Sequence, residues 1–165
     1  MRRVARVMGV AAFAAITVPM GALAAWRSRA MPRRDPRVPW SEFEIRASDG
    51  VRIRARRMTG AGEAALIVAH PAVTGQRYAP LVDFAEAATA FFDVFTFDFR
   101  GHGKSGGRLV MNLHGPLEDM RAVLREVRGR GYGWVGAVGF SLGGMTAFLL
   151  AALDGGLDAV VTVGA

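Results

Sequence analysis

Five consecutive residues could do covalent chemistry: Gly139-Phe140-Ser141-Leu142-Gly143. The run is a G-x-S-x-G pattern. An apolar stretch, Trp134 to Val138, precedes it, and a helix-forming apolar stretch, Met145 to Leu153, follows. Ser141 therefore stands where a strand becomes a helix. A sharp, strained turn of that kind lifts a serine hydroxyl clear of a sheet, where it can attack an acyl carbon. Gly139 and Gly143 lie two residues to either side, where a β-carbon would strike the neighbouring chain. The chain has 21 glycines, so the pentapeptide alone is weak evidence. Its specificity comes from the strand before it and the helix after it.

A serine needs a base, and the base needs an orienting acid. The histidines are His70, His102 and His114, and none follows Ser141. The acids after Ser141 are Asp154 and Asp158, which fall at a helix end and a strand start, away from the edge where Ser141 sits. His70 or His102 serves as base only if folding brings it to Ser141. The three histidines fall in separate loops without H-x-x-x-H spacing, so no metal site is expected. The absence of cysteine excludes disulfides and thiolate zinc sites.

The elements that must position these residues follow from periodicity. Ser41 to Ala47 and Val51 to Arg56 alternate about the turn Ser48-Asp49-Gly50 and predict an antiparallel hairpin, with Arg52, Arg54 and Arg56 on its solvent side. Continuous apolar character over Ala64 to Ala69 predicts a strand buried on both faces. Tyr78 to Phe92 has helical spacing, with Leu81, Phe84, Ala88 and Phe91 on one side. Asp93 to Phe99 reads as a strand, and Pro116 to Arg128 as a helix with Glu118 and Asp119 set against its dipole. The helix has an apolar stripe of Leu117, Met120, Val123, Leu124 and Val127. Leu157 to Val163 predicts a last, buried strand. Alternation of strand and helix implies an α/β domain with a mostly parallel sheet and helices on both faces. Chemistry then clusters at the C-terminal ends of the strands.

Charge divides the chain into three parts. Residues 1–40 hold eight arginines and one acid, Asp35, whereas residues 41–165 hold 13 basic and 13 acidic residues. The net charge of +7 thus belongs entirely to the N-terminal part, and a nucleic-acid module, which needs a basic patch on the folded domain, is not expected. Val7 to Trp26 is a run of 20 residues without formal charge. Roughly 20 apolar residues suffice to cross a bilayer. Arg2, Arg3 and Arg6 precede the run, and Ala22-Leu23-Ala24 offers a cleavage site. Arg27, Arg29, Arg33, Arg34 and Arg37 follow at once, which opposes export and favours an uncleaved anchor over a cleaved signal. The division expected is a signal or transmembrane anchor at 1–26, an Arg/Pro linker at 27–40 and a catalytic-type domain at 41–165.

Three segments end at the same predicted sheet edge: Ala69-His70-Pro71-Ala72, Asp98-Phe99-Arg100-Gly101-His102-Gly103-Lys104-Ser105, and the serine turn. In that order they resemble the α/β-hydrolase superfamily, above all its esterase, lipase and serine-aminopeptidase-like branches, over residues 42–165. The resemblance implies a serine hydrolase acting on esters, thioesters or amides through an acyl-enzyme. It makes Ser141 the nucleophile and the backbone N–H groups of Ala72 and Leu142 the oxyanion donors. It gives His70, Asp98, Arg100, Gly139 and Gly143 structural roles. Pro71 stands where the family usually has glycine, but the expected donor is the next residue. In the family the acid and then the histidine follow the serine, so the resemblance also implies a chain cut before its last strands. The alternative is an inactive, membrane-associated fragment or interaction protein. No cofactor is implied. Small-molecule or lipid-like acyl groups are the implied substrates.

Two further motifs fail on context. Gly101-x-Gly103-x-x-Gly106 matches a dinucleotide fingerprint, but its helix begins about ten residues too late to cap a pyrophosphate. Gly103-Lys104-Ser105 lacks the first glycine of a phosphate loop, because that position is Asp98.

Overall fold

The structure, a computed structural model, describes residues 31–110 and 112–164. The predicted anchor at 1–26 lies outside the described residues. No described helix is long and apolar enough to cross a membrane.

Nine elements follow one another: β1 (Trp40–Arg46), β2 (Arg52–Met58), β3 (Ala65–Ala69), α1 (Ala79–Ala88), β4 (Asp93–Phe97), α2 (His114–Gly129), β5 (Val135–Phe140), α3 (Leu142–Leu153) and β6 (Ala159–Val163). The strands form one sheet in the order β1-β2-β4-β3-β5-β6. β1, β2 and β4 pair antiparallel, and β4, β3, β5 and β6 run parallel. Alternation along the strands sorts the core into two faces. Ile67, Phe95, Phe97 and Ala137 pack with Met120, Val123, Leu124 and Leu150 of α2 and α3. Leu66, Val68, Val94 and Val138 pack with Leu81 and Ala85 of α1. Each large side chain buried in this way contributes roughly 1.5–3 kcal/mol. This is the predicted α/β architecture.

The placement of helices matters for the site. The chain leaves β3 toward the α1 face and leaves β5 toward the opposite, α3 face. β3 and β5 are neighbours, with Ala69 opposite Gly139. Their loops diverge, and a crevice opens between the two strand ends, as at the switch point of other doubly wound sheets.

Several local expectations need correction. The side of α1 facing the core is Leu81, Val82 and Ala85, and the helix stops at Ala88, before Phe91. Phe84 and Phe91 are exposed and line an open apolar groove with Trp134, Val138 and Val161. Arg56 is not on a solvent face. Its guanidinium lies over Trp40 at 4.4 Å and pairs with Asp35 at 3.0 Å, so only 3% of the residue is exposed. The helix predicted from Pro116 begins at His114, so Glu118 and Asp119 fall beyond the first turn. β6 forms as expected but is largely exposed, since it has one strand neighbour and little packed on its faces among the described residues.

The described part of the Arg/Pro segment is tied down along α1. Pro32 O accepts from the Ala79 N–H at 2.8 Å, and the Arg34 N–H donates to Arg77 O at 3.0 Å. The Arg34 guanidinium pairs with both Asp83 and Glu86. Its hydrogen bonds hold the Glu86 carboxyl down at about 2.

Candidate active site

β5 ends at Phe140 and α3 begins at Leu142, so Ser141 is the entire connection. Its backbone has φ 49° and ψ −113°, a region that non-glycine residues enter at a cost of about 1–3 kcal/mol. The Ser141 N–H donates to Val163 O of β6 at 2.9 Å, and Ser141 O accepts from the Met145 N–H at 2.9 Å. The residue is exposed.

The flanking glycines are required by contact. A β-carbon on Gly139 would lie 2.3 Å from the carbonyl carbon and oxygen of Gly143. One on Gly143 would lie 2.4 Å from Ala69 O, at the end of β3. These close approaches seat the first turn of α3 directly on β3. They set the first turn of α3, whose N-terminus favours negative charge, against the end of β3, three residues before Ala72.

That segment is a tight turn. Pro71 O accepts from the Thr74 N–H at 3.2 Å and from the Thr74 hydroxyl at 3.3 Å. The His70 ring is fully buried. Its Nδ1–H donates to Pro71 O at 2.7 Å, and its Nε2 accepts from the Phe99 N–H at 3.1 Å. All described peptide bonds are trans, so the Ala72 N–H points away from Pro71 O and the His70 ring.

The loop after β4 is braced by two acids. Asp98 accepts from the Gln76 N–H at 2.8 Å and the Gln76 side chain at 3.0 Å, joining this loop to the one after β3. Gly103 passes so close that a β-carbon would meet the Asp98 carboxylate at 2.0 Å. Arg100 donates through Nε and Nη2 to Asp119 at 2.9 and 2.8 Å, through its N–H to the same carboxylate at 2.8 Å, and through Nη1 to Asp49 at 2.7 Å. Burial pushes the Asp119 carboxyl up, and the Arg100 guanidinium opposes that shift. Asp119 was missed in the sequence, where an acid near a helix start reads as a partner for the dipole.

The buried histidines are committed to backbone partners on the loops after β3 and β4. Both His70 nitrogens are engaged with backbone. His102 is also buried and directs Nε2 at Ala72 O, 2.6 Å away. His114 is exposed at the start of α2. Asp154 pairs with Arg121, and Asp158 accepts from the Val135 N–H and Arg128, so both are held at the N-terminal end of the sheet's strands or beyond it. No group of side chains suited to a metal ion occurs among the described residues.

Beside the serine turn lies an apolar cleft of about 330 Å³, lined by Pro71, Tyr78, Pro80, Leu81, Phe84 and Phe140. Phe84 meets Phe140 edge-on at 5.7 Å.

Comparison with known proteins agrees with this geometry. A family model described as the alpha/beta hydrolase fold matches residues 66–165, and the chain belongs to that family. Among solved structures it is similar to the esterase Pf2001 of Pyrococcus furiosus, at 20% identity and a TM-score of 0.70 over 80% of this chain and 55% of the other. It is similar to XC6422 of Xanthomonas campestris, described as an a/b serine hydrolase without lid, at 21% identity and a TM-score of 0.67 over 78% and 63%. The bottromycin epimerase BotH is also similar, at 27% identity and a TM-score of 0.66 over 76% and 49%. The chain thus spans about half the length of the solved structures it resembles. No curated protein matches it.

Proposed function

We propose that this chain carries the nucleophile and oxyanion half of a serine hydrolase that cleaves carboxylic esters, thioesters or amides through an acyl-enzyme. The observation that carries the reading is the strained backbone of Ser141, held between β5 and α3 beside the turn that bears Ala72. Strain of this kind persists only where its surroundings enforce it, and it aims the hydroxyl out of the sheet. Ser141 attacks the acyl carbon, and the Ala72 and Leu142 N–H groups receive the oxyanion. Loss of one such donor typically costs about 10²–10³ in turnover. The base and acid belong to chain following Ala165, in the order serine, acid, histidine that the family uses. The apolar cleft beside Phe140 supports a hydrophobic acyl or alcohol group. Membrane attachment through the uncharged run at 7–26 is part of the proposal and fits lipid-like substrates.

A fluorophosphonate probe applied to the protein from its native source tests the reading. Covalent labelling that disappears in Ser141→Ala supports it. A second reading, an inactive membrane-associated fragment, is favoured by the engagement of both buried histidines with backbone groups. That reading predicts no labelling, and so does failure of the first. Alkaline carbonate extraction of the membrane fraction tests the anchor separately.

A further inference from the structure

We infer that His102 is a positioning residue that sets the direction of the Ala72 N–H; the inference rests on reading that N–H as an oxyanion donor. Two peptide planes meet at the Ala72 Cα, and their orientations fix its φ and ψ. The first plane carries Pro71 O and the Ala72 N–H. His70 holds it by donating from Nδ1 to Pro71 O at 2.7 Å. The second plane carries Ala72 O. His102, on the loop after β4, holds that one by donating from Nε2 at 2.6 Å. With both carbonyls tied, the donor between them cannot swing.

The two rings support each other. Their centroids are 4.8 Å apart, and His102 is only 2% exposed. Phe99 links them through the backbone: its N–H donates to His70 Nε2 at 3.1 Å, and its carbonyl accepts from the His102 N–H at 3.0 Å. For His70 the two partners, a carbonyl and an N–H, define the tautomer; for His102 the shorter contact, to Ala72 O, identifies Nε2 as the donor. His70 carries its proton on Nδ1 and offers Nε2 as acceptor. His102 carries its proton on Nε2, and its Nδ1 faces Arg100 O at 3.2 Å. In this arrangement both rings are held against backbone groups of the loops after β3 and β4, so both histidines position Ala72.

Removing the His102 donor releases one of the two planes. The serine is untouched, so transition-state stabilisation falls while ground-state binding stays. In the full-length protein, His102→Phe keeps the ring volume and lowers kcat for an ester by about tenfold or more with KM nearly unchanged, within the range for a lost oxyanion donor. His102→Gln, which keeps a side-chain N–H, recovers most of that loss. Equal loss in both variants, or full kcat in His102→Phe, overturns the proposal. A two-dimensional ¹⁵N spectrum of the wild-type imidazoles reads the clamp without any variant. A protonated Nε2 on His102 and a protonated Nδ1 on His70 support it, and the opposite tautomer on His102 overturns it even if His102→Phe does not fold. A wild-type protein that turns over no ester overturns the hydrolase reading and the catalytic purpose of the clamp, while the tautomers still show whether the clamp itself forms.

Discussion

Gly139 and Gly143 touch backbone to backbone, with the carbonyl group of Gly143 occupying the place where a Gly139 β-carbon would lie, 2.3 Å away. The atoms in the way are main chain on a strand and a helix, and neither can swing aside. Gly139→Ala is therefore expected to cost about 3 kcal/mol or more, at the upper end for overpacking. Gly143→Ala meets Ala69 O at 2.4 Å and is expected to behave alike. Urea unfolding of the two variants measures both. By contrast, Gly129→Ala has nothing within 4 Å of the added atom and should be near neutral or mildly stabilising in α2.

Ser141 provides a paired test of strain. Its φ of 49° is disfavoured by any β-carbon, whatever else the side chain holds. Ser141→Gly should raise stability by about 1 kcal/mol, whereas Ser141→Ala should leave it nearly unchanged. Both abolish probe labelling. Thermal unfolding of the two side by side separates conformational strain from the loss of the hydroxyl.

Arg100 and Asp119 form a pair in which the carboxylate is fully buried. Asp119→Ala leaves a guanidinium facing an empty, dry space. The expected loss is about 3 kcal/mol, as for other broken buried pairs. Replacing only Asp49, which is partly exposed and meets the outer side of the same guanidinium, should cost under about 1 kcal/mol.

Glu86 reports on the segment that crosses α1. Its carboxyl is held at about 2 against an ordinary 4.5, chiefly by hydrogen bonds from Arg34. A depressed folded value means that the stabilisation is fully present above about pH 4.5 and is lost as pH falls toward 2. A ¹³C titration of the Glu86 carboxyl should give the low value, and Arg34→Ala should raise it part of the way toward the ordinary range, because Arg37 still holds the carboxylate.

The legibility of the sequence followed the range of the interactions. The serine turn was readable because its constraints are local: strand, glycine, serine, glycine and helix lie within a few residues of one another. The parallel order of strands was readable from apolar runs alternating with helical stripes. The contacts that finish the site were not. Asp119 and Arg100 are 19 residues apart, and Ala72 and His102 are 30 apart, so only the folded sheet brings them together. Alternation placed Arg56 outward because a period of two cannot anticipate that Trp40 and Asp35 fold over it. Phe91 misled for a related reason: helical spacing continues in the sequence past Ala88, where the helix itself stops, while Phe84, inside the helix, turns to Phe140 at the edge of the cleft.

The backbone bonds from Pro32 to Ala79 and from Arg34 to Arg77 act as a mooring point for everything N-terminal to them. Arg77 and Ala79 follow within a few residues of the turn that carries Ala72, so the mooring lies close to the crevice rather than on the far side of the sheet. The seven residues from Arg27 to Arg33 can reach at most about 25 Å when fully extended. On the proposed membrane attachment, the end of the uncharged run lies within that reach of the mooring point. Under that proposal the short segment after the run sets the working height of the crevice above the bilayer, and lengthening or shortening it is a way to change which molecules the crevice can meet.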